Sequence, residues 1–440
     1  MRPHDHFIGR HYAARDAAGP LPFFNPTRRT FTLPTPAAKA AARLGAAAPG
    51  VGQEPGPEPG PEPAPPTGAY PIWRSRDNRK GRHALLVAPE HVKPHAGEPA
   101  ALRATENLAG CREGIWKMFV RYPVWDVSYD VAVVFTLGSA VWVINGFFSW
   151  LPVSAPWTEF AGETGTGSGA TALVGATIFE IGSVLLMLEA VNENRADCFG
   201  WALEEAWEDR RRGGGGGGWV AHPVRAECRH HHHGCRRSLL GRVRPAPGVD
   251  GAADGGEGGD VAGPKDGVDG RGEEDPRTGR RWLWMPSWYE LRTHYLREIG
   301  FLACLSQMIG ATVFWISGFT ALPPILNSLS KPAEYGVFWL PQVVGGTGFI
   351  VSSFLFMIEV QEKWYLPAPR TLGWHIGLWN LVGAIGFTLC GALGFASGQP
   401  GMEYALTLST FVGSWAFLIG SVIQWFESLD KYPVSVKENP

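Results

Sequence analysis

The sequence has almost no net charge: 39 Lys and Arg against 41 Asp and Glu leave a formal charge of -2 over 440 residues. A protein that neutralises many phosphates carries a basic excess, so no nucleic-acid partner is expected. Cysteine is scarce. Its six residues (Cys111, Cys198, Cys228, Cys235, Cys304 and Cys390) are scattered, two of them inside apolar runs, which is no disulfide framework. Residues 1–42 alternate Arg, His and Pro with apolar residues and contain no apolar core of the kind a secretory signal uses. The first apolar span is therefore expected to act as its own insertion signal. The sequence also lacks a Gly-x4-Gly-Lys-Ser/Thr phosphate loop, a dinucleotide fingerprint, a His-Glu-x2-His pair and a Gly-x-Ser-x-Gly elbow. An enzyme is disfavoured, and no catalytic, cofactor or metal site is expected. The run His230 to His233 between Cys228 and Cys235 has zinc-ligand chemistry, but its spacing fits no standard site and it reads as low complexity.

A mean hydropathy of -0.06 conceals two unlike kinds of segment. Charge is concentrated in residues 1–130 and 192–298. Elsewhere lie six apolar stretches, at 131–152, 170–190, 299–323, 336–360, 375–397 and 404–426. About 20 helical residues cross a hydrocarbon core of roughly 30 Å. In lipid each stretch must satisfy its own backbone hydrogen bonds, which makes it a helix. The expected fold is an all-α membrane protein with six transmembrane helices and the lipid bilayer as its principal partner. Trp125, Tyr129, Trp150, Trp157, Trp288, Tyr295, Trp364, Tyr365, Trp374, Tyr404 and Trp425 crowd the span ends, where amphipathic rings anchor at headgroups.

The loops after spans one, three and five contain one basic residue, Lys331. The opposite flanks carry Arg112, Lys117, Arg121, Arg195, Arg210 to Arg212, Arg292, Arg297, Lys363, Arg370 and Lys431. By the Lys/Arg bias both termini face the cytoplasm, in a plasma membrane or an endomembrane.

Residues 1–108 are rich in Pro, Ala and Gly, including a Glu-Pro-Gly near-repeat at 54–63, and read as a disordered cytoplasmic tail. That tail could recruit cytoplasmic proteins through a PxxP ligand. Membrane repeats are expected at 109–198, 282–364 and 365–440, the last with a short cytoplasmic C-terminus. Residues 199–281, with six glycines at 213–218, read as a low-complexity cytoplasmic insertion. An unspliced piece of coding sequence would give residues 204–280 the same composition.

Self-similarity along the chain is the most specific signal. Odd-numbered spans share Gly-x3-aromatic-x3-Gly: Gly138, Trp142, Gly146; Gly310, Phe314, Gly318; Gly383, Phe387, Gly391. Even-numbered spans share a longer pattern ending in Glu: Gly175, Phe179, Gly182, Ser183, Met187, Glu189; Gly345, Phe349, Ser352, Ser353, Met357, Glu359; Gly413, Phe417, Gly420, Ser421, Trp425, Glu427. At about 100° per residue the Gly, Phe, Ser and Glu of each even span share one face. Small residues on that stripe allow close helix packing in lipid. A unit of two spans returns the chain to its starting side, so three tandem parallel repeats with approximate three-fold symmetry are expected.

Four carboxylates are candidates for an ion or transport site. Glu180 is the one placed deep in a span, and intramembrane ionisable groups are costly enough to suggest function, although a structural glutamate fits too. Glu189, Glu359 and Glu427 end the even spans, where they could form an acidic ring that attracts cations. The competing reading is local: Lys363 and Lys431 follow Glu359 and Glu427 by four residues, the favourable order for a helix-surface ion pair.

The even-span core, the segment from Trp288 to Pro323 and residues 411–434 resemble uncharacterised multi-pass integral membrane proteins of filamentous fungi. Their two-helix units are similar to the small YrhK-like membrane domain. The resemblance covers roughly 116–197 and 282–434 and implies a fold and a membrane location, with no catalytic or binding residues. Two functions remain open: a structural or scaffolding membrane protein, and an ion or small-molecule channel or transporter using the helix bundle.

Overall fold

A computed structural model describes residues 17–29, 69–87, 105–193, 195–200, 202–203, 237–238, 241–242 and 282–436. Each apolar stretch forms one long helix. We label the short helix Ser75–Arg79 α1 and the helix Leu108–Val120 α2. The six long helices are α3 (Val127–Ser154), α4 (Ser168–Val191), α5 (Ile299–Thr320), α6 (Leu340–Val360), α7 (Leu372–Gly394) and α8 (Met402–Leu429). All six are long and apolar enough to cross a membrane, which supports a membrane location. Observed ends differ from the expected ones by a few residues, for local reasons. Asp126 caps α3 by accepting the Ser128 N–H at 3.0 Å, starting that helix earlier than the apolar run. The third span ends at Thr320, before Pro323 and Pro324, whose rings cannot continue it.

The six helices close into a ring: each packs on its neighbours in sequence, and α8 packs on α3. The Glu-bearing C-terminal ends of α4, α6 and α8 and the N-terminal ends of α5 and α7 meet on one side, the base. The interior is aromatic. Trp142, Phe314 and Phe387 form one triangle of rings, with centroids 4.8 to 5.7 Å apart. Phe179, Phe349 and Phe417 form a second, with centroids 5.6 to 6.5 Å apart. Most of these contacts are edge-to-face, the arrangement that ring quadrupoles favour. All six rings are buried.

The repeat glycines make room for these rings. A methyl at Gly138 would lie 2.6 Å from the Phe179 ring, and one at Gly383 would lie 2.8 Å from Phe417. Gly175 and Gly345 likewise seat Trp142 and Phe314, at 2.8 and 2.7 Å. Gly310 and Gly413 complete the set against Phe349 and Phe387. The second glycine of each odd span faces a different hairpin: Gly146 meets Phe411 on α8, Gly318 meets Ala176 on α4, and Gly391 meets Gln342 on α6. Ser183, Ser353 and Ser421 are buried on the even helices.

The expectation of a structureless tail over 1–108 is corrected in two segments. Residues Ala17–Ala18, Arg28–Arg29, Ala69–Arg74 and Ala84–Val87 are strands β1 to β4, and Val434–Val436 is β5. They form one sheet in the order β1-β2-β3-β4-β5, antiparallel except for the parallel β4–β5 pair. Apolar residues on both sides of α1 supply the two strands of a hairpin, with Ile72 opposite Ala84, and the chain's C-terminal segment extends it. The Glu-Pro-Gly repeat, the glycine run, His230 to His233, Cys228 and Cys235 lie outside the described residues.

Candidate functional site

The β3–β4 hairpin positions its connection, Ser75 to His83, across the base of the ring. The sequence there is Ser-Arg-Asp-Asn-Arg-Lys-Gly-Arg, one turn of helix followed by a reversal at Gly81, whose φ of 61° suits a residue without a Cβ. The turn faces Glu189, Glu359 and Glu427, each 3% exposed or less at the ends of α4, α6 and α8. Arg79 grips Glu359 with a fork: Nη1 donates to Oε1 at 2.6 Å and Nη2 to Oε2 at 2.9 Å, while Nε donates to Glu189 at 3.3 Å. Arg76 grips Glu427 in the same manner, at 2.7 and 3.3 Å. Arg82 bridges Glu427 at 3.0 Å and Asp77 at 2.8 Å. Lys80 Nζ lies 3.6 Å from Glu189, and the Ser75 hydroxyl donates to Glu359 at 3.0 Å.

Four cations (Arg76, Arg79, Lys80, Arg82) thus face four carboxylates (Asp77, Glu189, Glu359, Glu427), so the site is neutral as a whole. Burial is the largest influence on Arg79 and lowers its pKa, but the neighbouring groups, Glu359 first, together outweigh it and hold Arg79 well above the ordinary guanidinium range. Arg76 is raised in the same way by Glu427. At Lys80 burial wins, and its pKa is lowered. Bidentate guanidinium–carboxylate geometry is the strong form of ion pairing and explains why arginines occupy the two forked positions.

The second residue of each odd span is small and fits this arrangement. A methyl at Gly300 would lie 1.8 Å from Arg79 Nη1, and one at Gly373 would lie 2.7 Å from Arg76 Nε. Ser128 holds the equivalent place on α3 and is fully buried. Each of the three stands ten residues before its span's first repeat glycine, Gly138, Gly310 or Gly383.

Between this plug and the aromatic rings is a cavity of about 40 Å³. Arg76, Arg79, Lys80 and Glu189 line its base side; Ser139, Gln307, Ser353, Asn380, Ser421 and Gln424 give it polar walls, and Phe179 and Phe417 reach it from the aromatic layer. That space holds about two or three waters.

Glu189, Glu359 and Glu427 are brought together, and the local Glu-to-Lys pairing is corrected. Lys431 pairs with Asp126 at 2.6 Å and donates to the Lys80 carbonyl at 2.7 Å, while Lys363 lies over the Tyr365 ring. The carboxylates face inward to a basic partner that i,i+4 reasoning on the helix surface could not include. Glu180 stands apart, accepting a hydrogen bond from the Thr312 hydroxyl at 2.9 Å. Arg76, Arg79, Lys80 and Arg82 were not singled out from the sequence. Their signal is a basic cluster between two short strand-forming runs, in a region otherwise dominated by Pro and Gly. No protein-family model, curated protein or solved structure matches the chain.

Proposed function

We propose that this chain is a membrane scaffold: a closed bundle of three parallel helical hairpins that holds its own N-terminal segment against one face of the bilayer. The observation that carries the reading is the double closure of the ring. Two layers of three aromatic rings fill its axis, and α1 with the following Lys80 and Arg82 neutralises the three glutamates at its base. The hairpin repeat is supported by the reciprocal glycine–aromatic seating within each hairpin and by the glycine contacts that run from each hairpin to another in cyclic order. The Lys/Arg bias supports a base facing the cytoplasm, with both termini on that side. Kinship with the YrhK-like membrane domain is part of this proposal, as is recruitment of cytoplasmic partners by the Pro-rich segment.

A gated conduit is the second reading, favoured by the cavity with polar side chains between plug and rings. One experiment separates the two. Full-length protein is reconstituted in vesicles, and flux of monovalent and divalent cations, anions and protons is measured for the wild type and for Arg76→Ala/Arg79→Ala. Silence of both proteins is the scaffold's expected result. Flux in the unplugged variant alone establishes the conduit and overturns the scaffold.

A further inference from the structure

Beside the plug is a second cluster that the double closure does not use. Glu193, just past the end of α4, faces His294 and Glu298, which precede α5. His294 Nε2 lies 3.2 Å from Glu298 Oε1 and 3.9 Å from Glu193 Oε1, and one ligand atom from each of the three residues lies within 4.8 Å of the others. Four ligands around a cation at about 2.0–2.1 Å stand roughly 3.3–3.4 Å apart, so the measured separations bracket a tetrahedral edge. His294 is 1% exposed.

Two further observations point to a ligand. A cavity of about 10 Å³ opens against Glu193 and Glu298 and is also lined by Asn25 and Thr27. Thr27 is 4% exposed, and its hydroxyl has no hydrogen-bond partner among the described residues. An oxygen of this kind, in a space of about one water, fits the fourth position of a cation directly or through water. One ligand is also held from outside: the Asn78 amide donates to Glu193 Oε2 at 2.7 Å. Outer contacts of this type orient metal ligands.

We infer that Glu193, His294 and Glu298 form a binding site for a divalent first-row cation of the zinc class, closed by Thr27. One imidazole with two carboxylates is a borderline-hard ligand set that suits zinc, manganese or ferrous iron. The site joins the end of α4, the start of α5 and the N-terminal segment carrying α1, so an ion there fastens the plug to the ring.

The test uses full-length protein in detergent. It is stripped with chelator, reloaded with zinc and, separately, manganese, and its metal content and affinity are measured. The background variant has His230 to His233 all replaced by Ala, so that the histidine run cannot contribute. About one zinc or manganese ion per chain is expected, bound at least tenfold more weakly in Glu298→Gln and in Glu193→Gln. X-ray absorption at the zinc edge of the unmutated site should show nitrogen and oxygen neighbours, a readout independent of how any ligand variant folds. Failure to retain one equivalent of either metal, undiminished binding in both Gln variants, or sulfur neighbours at the zinc would each overturn the assignment.

Discussion

Removing Arg79 tests the central feature of the base. Arg79→Ala deletes the fork to Glu359 and the bond to Glu189, leaving two carboxylates that are 3% and 0% exposed. Among the described residues Glu359 keeps the Ser75 hydroxyl as a hydrogen-bond donor, and Glu189 keeps Lys80 at 3.6 Å. At 4 Å and an effective dielectric of about 20, each lost pair represents about 4 kcal/mol of attraction, part of which offsets the cost of taking the charges out of water. Breaking a buried pair from one side typically costs about 3–5 kcal/mol. For a helical core of this size, that is a fall in Tm of roughly 6–20 °C. The measurement is a thermal melt of detergent-purified protein followed by tryptophan fluorescence. Limited proteolysis then checks the position of the N-terminal segment, and a site near Arg82 should become accessible. The companion variant is Arg79→Ala/Glu359→Gln. If the penalty comes from a stranded charge, neutralising Glu359 returns about half of it, roughly 2 kcal/mol. A single variant that melts within about 3 °C of the wild type, or a double variant as unstable as the sum of the two single changes, would refute the reasoning.

Gly300→Ala should reproduce much of that loss without removing a charge, because its methyl would occupy the place of Arg79 Nη1; about 2–4 kcal/mol is expected in the same melt. Trp142→Ala opens its own triangle of rings and removes the contact with Phe179 of the other; it should cost about 3–5 kcal/mol, with conservative Trp142→Phe costing less than half as much. Glu180→Gln keeps an acceptor for the Thr312 hydroxyl, so its melt should stay within about 1 kcal/mol of the wild type. Lys80 carries a pH signature. Burial lowers its folded pKa below the ordinary 10.5, so between those two values the folded state binds fewer protons than the unfolded one and stability rises with pH. The Tm of Lys80→Met minus that of the wild type should therefore decrease as pH is raised toward 10.5. A constant difference would show that Lys80 titrates alike in both states.

A buried ion-pair network like the one at the base is expected to contribute more to geometry than to net stability. Apolar residues of similar volume often replace buried ion pairs at no cost, whereas a single missing partner is expensive. The network therefore selects one seating of α1 over others. Gly300 and Gly373 reinforce that choice, since only a residue without a side chain leaves space for a guanidinium against the first turn of a long helix.

The amino-acid sequence alone determined the six spans, because the requirement is local: about 20 apolar residues with internally satisfied backbone bonds. It also determined which residues would pack, since the spacing of Gly138, Gly175 and their counterparts fixes a helix face whatever the partner. Tertiary structure decided what those faces and carboxylates meet. Arg76 is 351 residues from Glu427, and Arg79 is 280 from Glu359, separations over which no periodicity carries information. Residues 69–87 looked like part of a solvated tail because their apolar content is too small to form a core alone. Once the ring closes and gathers three carboxylates at its base, the short hairpin gains partners that offset its ordering entropy, and only then do its arginines become part of the structure.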